Sequence, residues 1–167
     1  MENGIHDDPA GSCNEVRRAV EDYSNMLFKI CIVMLCSEYD AQEVVQETFL
    51  RYMTKAPAFS GAEHEKAWLI RVATNICKDM RRFRFRHQHL NIDDLHDCYK
   101  TEENSGILEA VMKLPQDYKI VIMLFYIEGY NVDSISRTIG ISASAVKKRL
   151  QRGREKLRLD YRKDYLL

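Results

Sequence analysis

Apolar residues recur at helical spacing along most of this chain. Over 14–36, 39–55 and about 63–86 they fall three and four positions apart, and no alternation typical of a strand occurs. Helical spacing resumes at Ile107, and 120–127 is apolar nearly all round, as expected of a buried helix. The pattern predicts an all-α fold.

Two stretches lack this periodicity. Residues 1–13 are polar and are interpreted as a disordered tail, while 87–105 are rich in acidic and turn-forming residues and are interpreted as a flexible acidic linker. The length of 167 residues allows one domain or two small ones. Because the linker lies near the middle, we expect two small helical domains, at 14–86 and 106–163.

Residues 131–158 have the pattern of a helix, a turn at Gly140 and a second helix. Asn131 and Ser142 are predicted N-caps, since each side-chain oxygen can accept a hydrogen bond from a free backbone N–H. The second helix is apolar on one side and basic on the rest, which suits a helix laid in the major groove of DNA. Its cations are Lys147, Lys148, Arg149, Arg152, Arg154, Lys156 and Arg158.

The formal net charge is zero, but the charges are unevenly distributed. Residues 91–105 carry one Lys and five acids, whereas 106–167 carry 12 basic and 7 acidic residues. Residues 71–86 hold six basic residues and one acid. A phosphate-facing surface needs local positive potential rather than a positive total, so neutrality does not exclude nucleic-acid binding.

Cysteine usage and hydropathy indicate a location in the cytosol. Five cysteines without a CxxC pair, and no secretory leader, favour a reducing compartment. The longest apolar stretch, 26–36, is far shorter than the roughly 20 residues of a membrane span, so no membrane insertion is expected. A metal-like HxH…HxC spacing matches no strong zinc pattern, so neither a metal nor a cofactor is expected; it consists of His87, His89, His96 and Cys98.

The third predicted helix interleaves basic and aromatic residues from Trp68 to Arg86. Such a mixture suits single-stranded nucleic acid, in which phosphates need cations and unpaired bases need a stacking surface. The alternative is that Trp68 belongs to the core and the arginines form a solvated face. The acids at the start of 40–51 are explained by the helix dipole, and no nucleophile arrangement accompanies them, so an enzyme is not expected.

Taken together, these segments resemble the sigma-70 family of bacterial transcription initiation factors, specifically the short extracytoplasmic-function (ECF) group. VQETFLR at 45–51 is similar to the hallmark of the family's region two. WLIRVATNICKDMRR at 68–82 is similar to the helix that engages the minus-ten promoter element, and 114–158 is similar to region four. Two separate motifs in the right order make the resemblance specific.

The resemblance implies three binding surfaces. The helix at 40–51 would dock on the clamp helices of the polymerase β′ subunit through Asp40, Glu43, Gln46, Glu47, Phe49 and Arg51. The loop that captures a flipped base and the following helix would bind the minus-ten element through Ser60, Gly61, Lys66, Trp68, Arg71, Asn75, Lys78, Asp79 and Arg82. The helix-turn-helix would read the minus-thirty-five element through Ser142, Ser144, Ala145, Lys147, Lys148, Arg149 and Arg152.

The implied function is that of a sigma factor, which directs core polymerase to promoters and assists promoter melting without catalysis of its own. The implied partners are core polymerase, through its β′ clamp helices and β flap, and promoter DNA. Members of the group are commonly held inactive by an anti-sigma factor, so such a partner is a candidate here. The free chain is expected to be a monomer.

Departures from the family pattern leave promoter preference open. Asn131 and Ser134 stand where Ser and Glu are usual, and Lys148 and Thr74 also depart from the pattern. Two other classes of protein stay open as well. A conventional DNA-binding regulator would use 14–86 for sensing or dimerisation and would bind a palindromic site. An adaptor would bind polymerase without reading DNA, and neutralising the 147–152 cluster would leave its activity intact.

Overall fold

The computed structural model describes residues 13–87 and 107–165. Within these ranges the regular structure is helical and contains no strand, which confirms the predicted fold class. A π-helical turn, Met123–Ile127, continues the fifth helix. The helices are α1 (Cys13–Leu35), α2 (Glu38–Lys55), α3 (Ala62–His87), α4 (Ile107–Lys113), α5 (Gln116–Ile122), α6 (Val132–Ile139) and α7 (Ala143–Tyr165).

Side-chain caps set the starts of three helices. The Asn131 side chain accepts a hydrogen bond of 2.8 Å from the N–H of Ser134, and Ser142 Oγ accepts one of 3.2 Å from Ala145, so both predicted N-caps are confirmed. The cap of α2 is Ser37, whose side chain accepts a hydrogen bond from the N–H of Asp40 in the first turn. Local side-chain hydrogen bonds therefore fix the register of α2, α6 and α7.

Gly140 ends α6 in the left-handed conformation, with φ of 71°. A residue with a Cβ is strained there, so glycine suits the turn of the helix-turn-helix, as the sequence predicted. The N–H groups of Gly140 and Ile141 both bond to the carbonyl of Ser136. The carbonyls of Arg137 and Thr138, in the last turn of α6, are left for other donors.

The first helical group consists of α1, α2 and α3, which pack on one another. Their inward stripes supply large buried side chains, including Leu27, Ile30, Val44 and Leu69. The hydroxyl of Thr48 is also buried, and it donates to the carbonyl of Val44 at 2.7 Å, so its polarity is satisfied within α2. The predicted extents of these three helices agree with the structure to within a residue.

The second helical group consists of α4 to α7, and α5 and α7 are in close contact. A Cβ built on Gly153 of α7 would lie 3.0 Å from Ile122 Cγ1, so a glycine permits this approach. The predicted burial of 120–127 holds for Ile120 to Leu124. It is wrong for Tyr126 and Ile127, because the π-helical turn rotates the end of the apolar run toward solvent.

Candidate nucleic-acid and partner interfaces

The outward face of α2 carries a continuous stripe of exposed side chains. They recur three and four positions apart, which places them on one side of the helix. Leu50 and Met53 are 55% and 45% exposed, and acidic and amide groups precede them. Aligned apolar and acidic side chains on an exposed helix face are typical of a protein-binding surface. This α2 stripe comprises Tyr39, Glu43, Gln46, Leu50 and Met53.

Two residues assigned from sequence to the polymerase surface are buried. Asp40 is 2% exposed and forms an ion pair with Arg84 of α3, and Phe49 is 8% exposed in the core. Glu47 and Arg51 flank the α2 stripe and are joined by a hydrogen bond of 2.7 Å. In this arrangement Asp40 and Phe49 hold α2 in place and do not present their side chains to a partner.

Leu50 and Met53 were missed by the sequence interpretation. Both lie within four residues of the buried Phe49, and residue type alone does not distinguish a core side chain from an exposed one. The angular position of each side chain around the helix axis would have distinguished them. Val44 and Thr48 define the inward direction of α2, and Leu50, two positions after Thr48, points about 200° away from it.

An aromatic cluster lies beneath the loop that precedes α3. The rings of Tyr52 and Phe59 are stacked with their centroids 5.9 Å apart, and Trp68 packs edge-on against both. Trp68 is half-buried, which favours the packing alternative raised for it. Ser60 and Gly61 are exposed at the end of the loop. The cluster therefore supports the loop from below and leaves its tip accessible.

Glu65, in the first turn of α3, is buried and holds three helices together. It accepts hydrogen bonds from Arg18 of α1 at 2.7 Å, from Tyr52 of α2 and from Tyr23 of α1 at 3.3 Å. Burial alone raises the pKa of Glu65, but the bonds from Arg18 and Tyr52 outweigh it, so the pKa lies below its ordinary value. Burial and Glu65 raise the pKa of Tyr52 to about 12, so Tyr52 remains a donor at neutral pH.

The Glu65 network borders an open cavity of about 550 Å³ on the inner side of the loop. Its lining combines Arg18 and Tyr52, the acids Glu15 and Glu65, and the loop residues Ala56 to Phe59 and Gly61. Sequence reasoning missed Glu65 because an acid in the first turn of a helix has an ordinary explanation in the helix dipole. Glu65 lies four residues before the buried Leu69, so helical periodicity places both on the inward side of α3. This spacing is the signal that could have identified it.

Several residues predicted to bind the minus-ten element share one exposed face of α3. Arg71, Asn75, Asp79 and Arg82 follow one another at intervals of three and four, and all are exposed. Asp79 and Arg82 form an exposed ion pair of 3.4 Å, while Lys78 is only partly exposed beside them. The structure thus brings these residues together as a mixed, mainly cationic face, called here the α3 face.

Lys66 and Arg71 are engaged by the second helical group. Lys66 Nζ lies 3.7 Å from a carboxylate oxygen of Glu128 and 5.1 Å from the ring centre of Tyr130. Arg71 Nε donates to the carbonyl of Thr138 at 2.9 Å, and its Nη2 donates to the carbonyl of Arg137. These are carbonyls that α6 leaves unpaired near its end.

In a second contact between the groups, the cation belongs to the second group and the carbonyl to the first. Lys119 of α5 is 3% exposed, and its Nζ donates to the carbonyl of Val33 near the end of α1 at 3.2 Å. The same Nζ lies 3.8 Å from Cys36 Sγ. Each group therefore places a cation on the carboxyl end of a helix in the other group, where the helix dipole is negative. Sequence reasoning gave no sign of either contact.

The outward face of α7 carries the predicted minus-thirty-five residues in three different settings. Ser144, Lys147, Lys148 and Arg152 are exposed, and Ala145 is half-buried. Ser142 is exposed but its hydroxyl caps the helix. Arg149 is turned toward α5, where it pairs with Asp117 at 3.4 Å. The exposed residues form a basic surface, called here the α7 face, with Arg149 at its edge.

Neither a metal site nor a membrane segment is found in the described parts of the chain. Over 13–87 and 107–165, no group of His, Cys, Asp and Glu is arranged to hold a metal ion. The same residues include no helix long and apolar enough to cross a membrane. Most of the HxH…HxC pattern, His89, His96 and Cys98, lies outside the described residues.

Models of known protein families match both helical groups of the chain. The family model for sigma-70 region 2 matches residues 19–87, and the model for sigma-70 region 4 matches residues 105–157, so together they match more than half of the chain. The chain therefore belongs to the sigma-70 family. Its similarity to ECF sigma factors places it in the extracytoplasmic-function group, as the motifs predicted.

Two curated relatives illustrate this similarity. The ECF RNA polymerase sigma factor SigW of Bacillus subtilis is 27% identical over 162 residues, covering 86% of this chain and 87% of the relative. The ECF sigma factor SigE of Mycolicibacterium smegmatis is 26% identical over 154 residues, covering 85% of this chain and 59% of the relative. The chain thus spans most of the length of SigW but little more than half of SigE.

Two solved structures share the fold. One is the sigma factor RpoE in complex with the anti-sigma factor NepR from Bartonella quintana, with a TM-score of 0.74, 19% identity and coverage of 89% of this chain and 98% of that one. The other is CnrH in complex with the cytosolic domain of CnrY, with a TM-score of 0.61, 21% identity and coverage of 89% and 88%.

Proposed function

We propose that this sigma factor directs core RNA polymerase to a specific set of promoters and helps to open the DNA there. The protein acts in the bacterial cytoplasm and catalyses no reaction of its own. One observation carries the proposal: an exposed acidic and apolar stripe, an exposed α3 face and an exposed basic α7 face occur on the two segments that match the two sigma-70 regions.

The α2 stripe is the proposed polymerase surface. Glu43 and Gln46 supply polar contacts to the β′ clamp helices, with Glu47 and Arg51 at the flank. Leu50 and Met53 supply the apolar area that an acidic patch alone lacks. Region two is assigned to 14–86 and region four to 106–163, with the latter also contacting the β flap.

The α3 face and the preceding loop are the proposed minus-ten surface. Arg71, Asn75, Lys78, Asp79 and Arg82 would contact the melted strand, with cations on phosphates and polar groups on base edges. The loop tip at Ser60 and Gly61, above the aromatic cluster, would receive a base that has left the stack. Unstacking costs a few kcal/mol per base, which contacts in the loop would offset.

The α7 face is the proposed minus-thirty-five surface. Lys147 and Lys148 are exposed, which suits phosphate contacts that set register without specifying sequence. Arg152 is accessible and Arg149 is at the edge, and either can bond the O6 and N7 atoms of a guanine together. Ser142 and Ala145 lie at the start of the helix, the end that usually enters the groove.

An anti-sigma factor is a further proposed partner. The sigma factor RpoE of Bartonella quintana, which shares this fold, was solved in complex with the anti-sigma factor NepR. The accessible apolar residues of the α2 stripe offer such a partner the same surface that polymerase would use. Before it binds either partner, the chain is proposed to be a monomer.

Run-off transcription tests the proposal. Purified bacterial core polymerase, with and without this protein, would be given fragmented genomic DNA of the source organism. Discrete transcripts that require the protein are expected, and their start sites would define both promoter elements. No transcripts, together with tight binding of a dimer to duplex DNA, would overturn the proposal in favour of a conventional regulator.

A variant of the α7 face distinguishes a sigma factor from an adaptor that binds polymerase without reading DNA. Replacing Lys147, Lys148 and Arg152 with alanine removes the cations of the α7 face, and each of these side chains is exposed. A sigma factor is expected to lose promoter-specific transcripts, because the upstream element is no longer bound. Unchanged transcription by this variant would show that the protein binds polymerase without reading DNA through region four.

A further inference from the structure

We infer that His64 selects the base that leaves the stack, and that the loop tip takes a base with a keto oxygen, thymine or guanine, in preference to cytosine or adenine. This inference rests on the proposed function, because it names the class of base that the proposed loop would receive. Its physical basis is the way the His64 ring is held and the pair of polar groups that His64 and Ser60 then present.

The His64 ring is held on two sides at the start of α3. Its Nδ1 atom accepts a hydrogen bond of 3.4 Å from the backbone N–H of Ser60, four residues earlier. Its plane meets that of Phe59 at 88°, with the ring centres 5.5 Å apart, and Phe59 in turn stacks on Tyr52. The aromatic cluster therefore supports the imidazole, and the loop backbone fixes its orientation.

The bond from Ser60 to His64 is a variant of a helix-capping contact. The carbonyl of Gly61 accepts a bond of 3.1 Å from the N–H of Glu65, and α3 begins at Ala62, so His64 is the third residue of the helix. A polar side chain at this position commonly reaches back to a backbone N–H at the start of the helix. His64 reaches back to Ser60 in the same way, which ties the ring to the loop tip.

The hydrogen bond from Ser60 assigns the proton of the neutral imidazole. A backbone N–H only donates, so Nδ1 of His64 offers its lone pair and the ring proton lies on Nε2. The Ser60 hydroxyl, whose Oγ is 3.3 Å from the same Nδ1, then donates as well, and its two lone pairs remain as acceptors. Both side chains are exposed, so these groups are accessible to a nucleic-acid strand.

The loop tip therefore presents a donor beside an acceptor, namely the Nε2–H of His64 and the Oγ lone pairs of Ser60. Thymine carries the complementary pair, an acceptor at O4 and a donor at N3–H, and guanine carries O6 and N1–H. Cytosine and adenine have an amino group where the keto oxygen would be. Their amino group would face the N–H of His64, and neither donor would be satisfied. Gly61, next to Ser60, has no side chain to block the approach of the base.

Two substitutions at His64 separate the donor from the cap. In His64→Asn, the amide oxygen takes the place of Nδ1 and still accepts from Ser60, whereas the Nε2–H group is lost. In His64→Leu, both groups are lost. Glu63→Gln, an exposed change one residue earlier, is the control. Because all three changes are at exposed positions, circular dichroism and thermal unfolding are expected to show folded proteins.

Nuclear magnetic resonance of the free chain tests the proton assignment without polymerase. Long-range proton–nitrogen correlation spectra, recorded at about pH 8, where histidine side chains are usually neutral, show which ring nitrogen carries the proton. The spectrum of His64→Asn identifies the signals of His64 by their loss. A proton on Nε2 is expected. A proton on Nδ1 would overturn the inference, because Nδ1 would then be unable to accept from Ser60.

Promoter strands that differ at a single base test the selection itself. Fluorescence of 2-aminopurine, placed in turn at each minus-ten position of a promoter from the run-off experiment, locates the base that leaves the stack. Holoenzyme is then titrated with the four strands. The wild type and Glu63→Gln are expected to bind thymine or guanine about tenfold more tightly than cytosine or adenine, the size of one hydrogen bond and its unsatisfied alternative.

The two His64 variants are expected to lose this preference in different ways. His64→Asn should reduce it to within about twofold while binding cytosine or adenine as the wild type does, because the loop is still capped. His64→Leu should bind all four strands more weakly, because the loop is no longer tied to the ring. A wild-type preference for cytosine or adenine, or a keto preference that persists in His64→Asn, would overturn the inference.

A base analogue tests the keto group alone and separates this inference from the proposed function. Hypoxanthine, the base of inosine, differs from adenine only in carrying O6 and N1–H at the tested edge, and the wild type is expected to bind it as tightly as guanine. Protein-dependent transcripts without any base preference would contradict this inference and leave the proposed function intact. Absence of any transcript would instead contradict the proposed function and this inference with it.

Discussion

Glu65 in α3 accepts a hydrogen bond of 2.7 Å from Arg18 in α1, a residue 47 positions earlier in the chain. Glu65 is buried, whereas Arg18 is about half exposed. Loss of the ion pair would therefore leave the carboxylate without a counter-charge, while the guanidinium would still be solvated by water. The hydroxyl of Tyr52 in α2 donates to the same carboxylate. One side chain therefore fixes the start of α3 and the end of the proposed base-capturing loop against both neighbouring helices.

Replacing this carboxylate is expected to cost stability. In Glu65→Gln the charge is lost and an amide N–H₂ group faces Arg18. We expect the free energy of unfolding to fall by about 1–2 kcal/mol, a modest value because Arg18 is half exposed and solvent screens the ion pair. Urea denaturation of the full chain measures it. Glu63→Gln, an exposed change two residues earlier, should stay within about 0.5 kcal/mol of the wild type. An equal loss in both variants would contradict the role given to Glu65.

The same network predicts a defined loss of stability in acid. The pKa of Glu65 in the folded chain lies below its ordinary value of 4.5, so the folded state favours the ionised form. Its contribution is complete above that value and is lost as the pH falls through the lower, folded-state pKa. The difference in unfolding free energy between wild type and Glu65→Gln should narrow below about pH 4.5. A difference that stays constant down to pH 3 would show that the charge of Glu65 is not involved.

Much of the local structure follows from the sequence, because helices are specified by short-range rules. Apolar spacing located α1 to α3, and the caps at Asn131 and Ser142 depend on neighbours three residues away. Contacts between the two helical groups could not be predicted in this way. Arg71 and Thr138 are 67 positions apart, and nothing near either residue indicates the other.

The candidate surfaces were predicted in part for a related reason. A motif assigns residues to a helix, but only the packing of that helix decides which of its side chains face solvent. Asp40 and Phe49 fall within the motif and are buried, while Leu50 and Met53 are exposed beside them. Lys119 is the extreme example, since a lysine in an apolar run is usually expected to reach water.

Charge reversal on the α2 stripe is expected to abolish docking on polymerase. Glu43→Lys with Glu47→Lys would place cations where the proposed partner meets acids, and we expect affinity for core polymerase to fall at least about tenfold, or 1.4 kcal/mol. Fluorescence anisotropy of the labelled protein titrated with core polymerase measures this. Glu21→Lys, an exposed change on α1, is the control. Undiminished binding by the double variant would refute the docking surface.

Arg149 and Lys147 are expected to differ in what they contribute to the upstream element. Arg149→Ala should cost roughly 1–3 kcal/mol of discrimination between matched and mismatched promoters if it bonds a guanine, whereas Lys147→Ala should weaken binding to all sequences alike. Binding of polymerase holoenzyme to promoters altered one base pair at a time measures both. A uniform loss in Arg149→Ala would make it a phosphate contact.

The ion pair of Arg149 with Asp117 gives a further expectation for the same assay. Asp117 holds the guanidinium toward α5 at 3.4 Å, so Asp117→Asn should free Arg149 to reach the groove and should tighten binding. Because Asp117 is largely exposed, the variant should fold normally. Weaker binding by Asp117→Asn would indicate that the aspartate orients Arg149 for DNA rather than competing with it.

The hydrogen bonds from Arg71 to the end of α6 have a consequence for genetics. Arg71 joins the two helical groups and is also proposed to contact the melted strand. A substitution at Arg71 changes both interactions at once, so the transcription phenotype of an Arg71 variant does not by itself report on DNA contact. Arg82, on the same face of α3 and paired within that helix with Asp79, is the position at which a reporter assay reads the proposed DNA contact more directly.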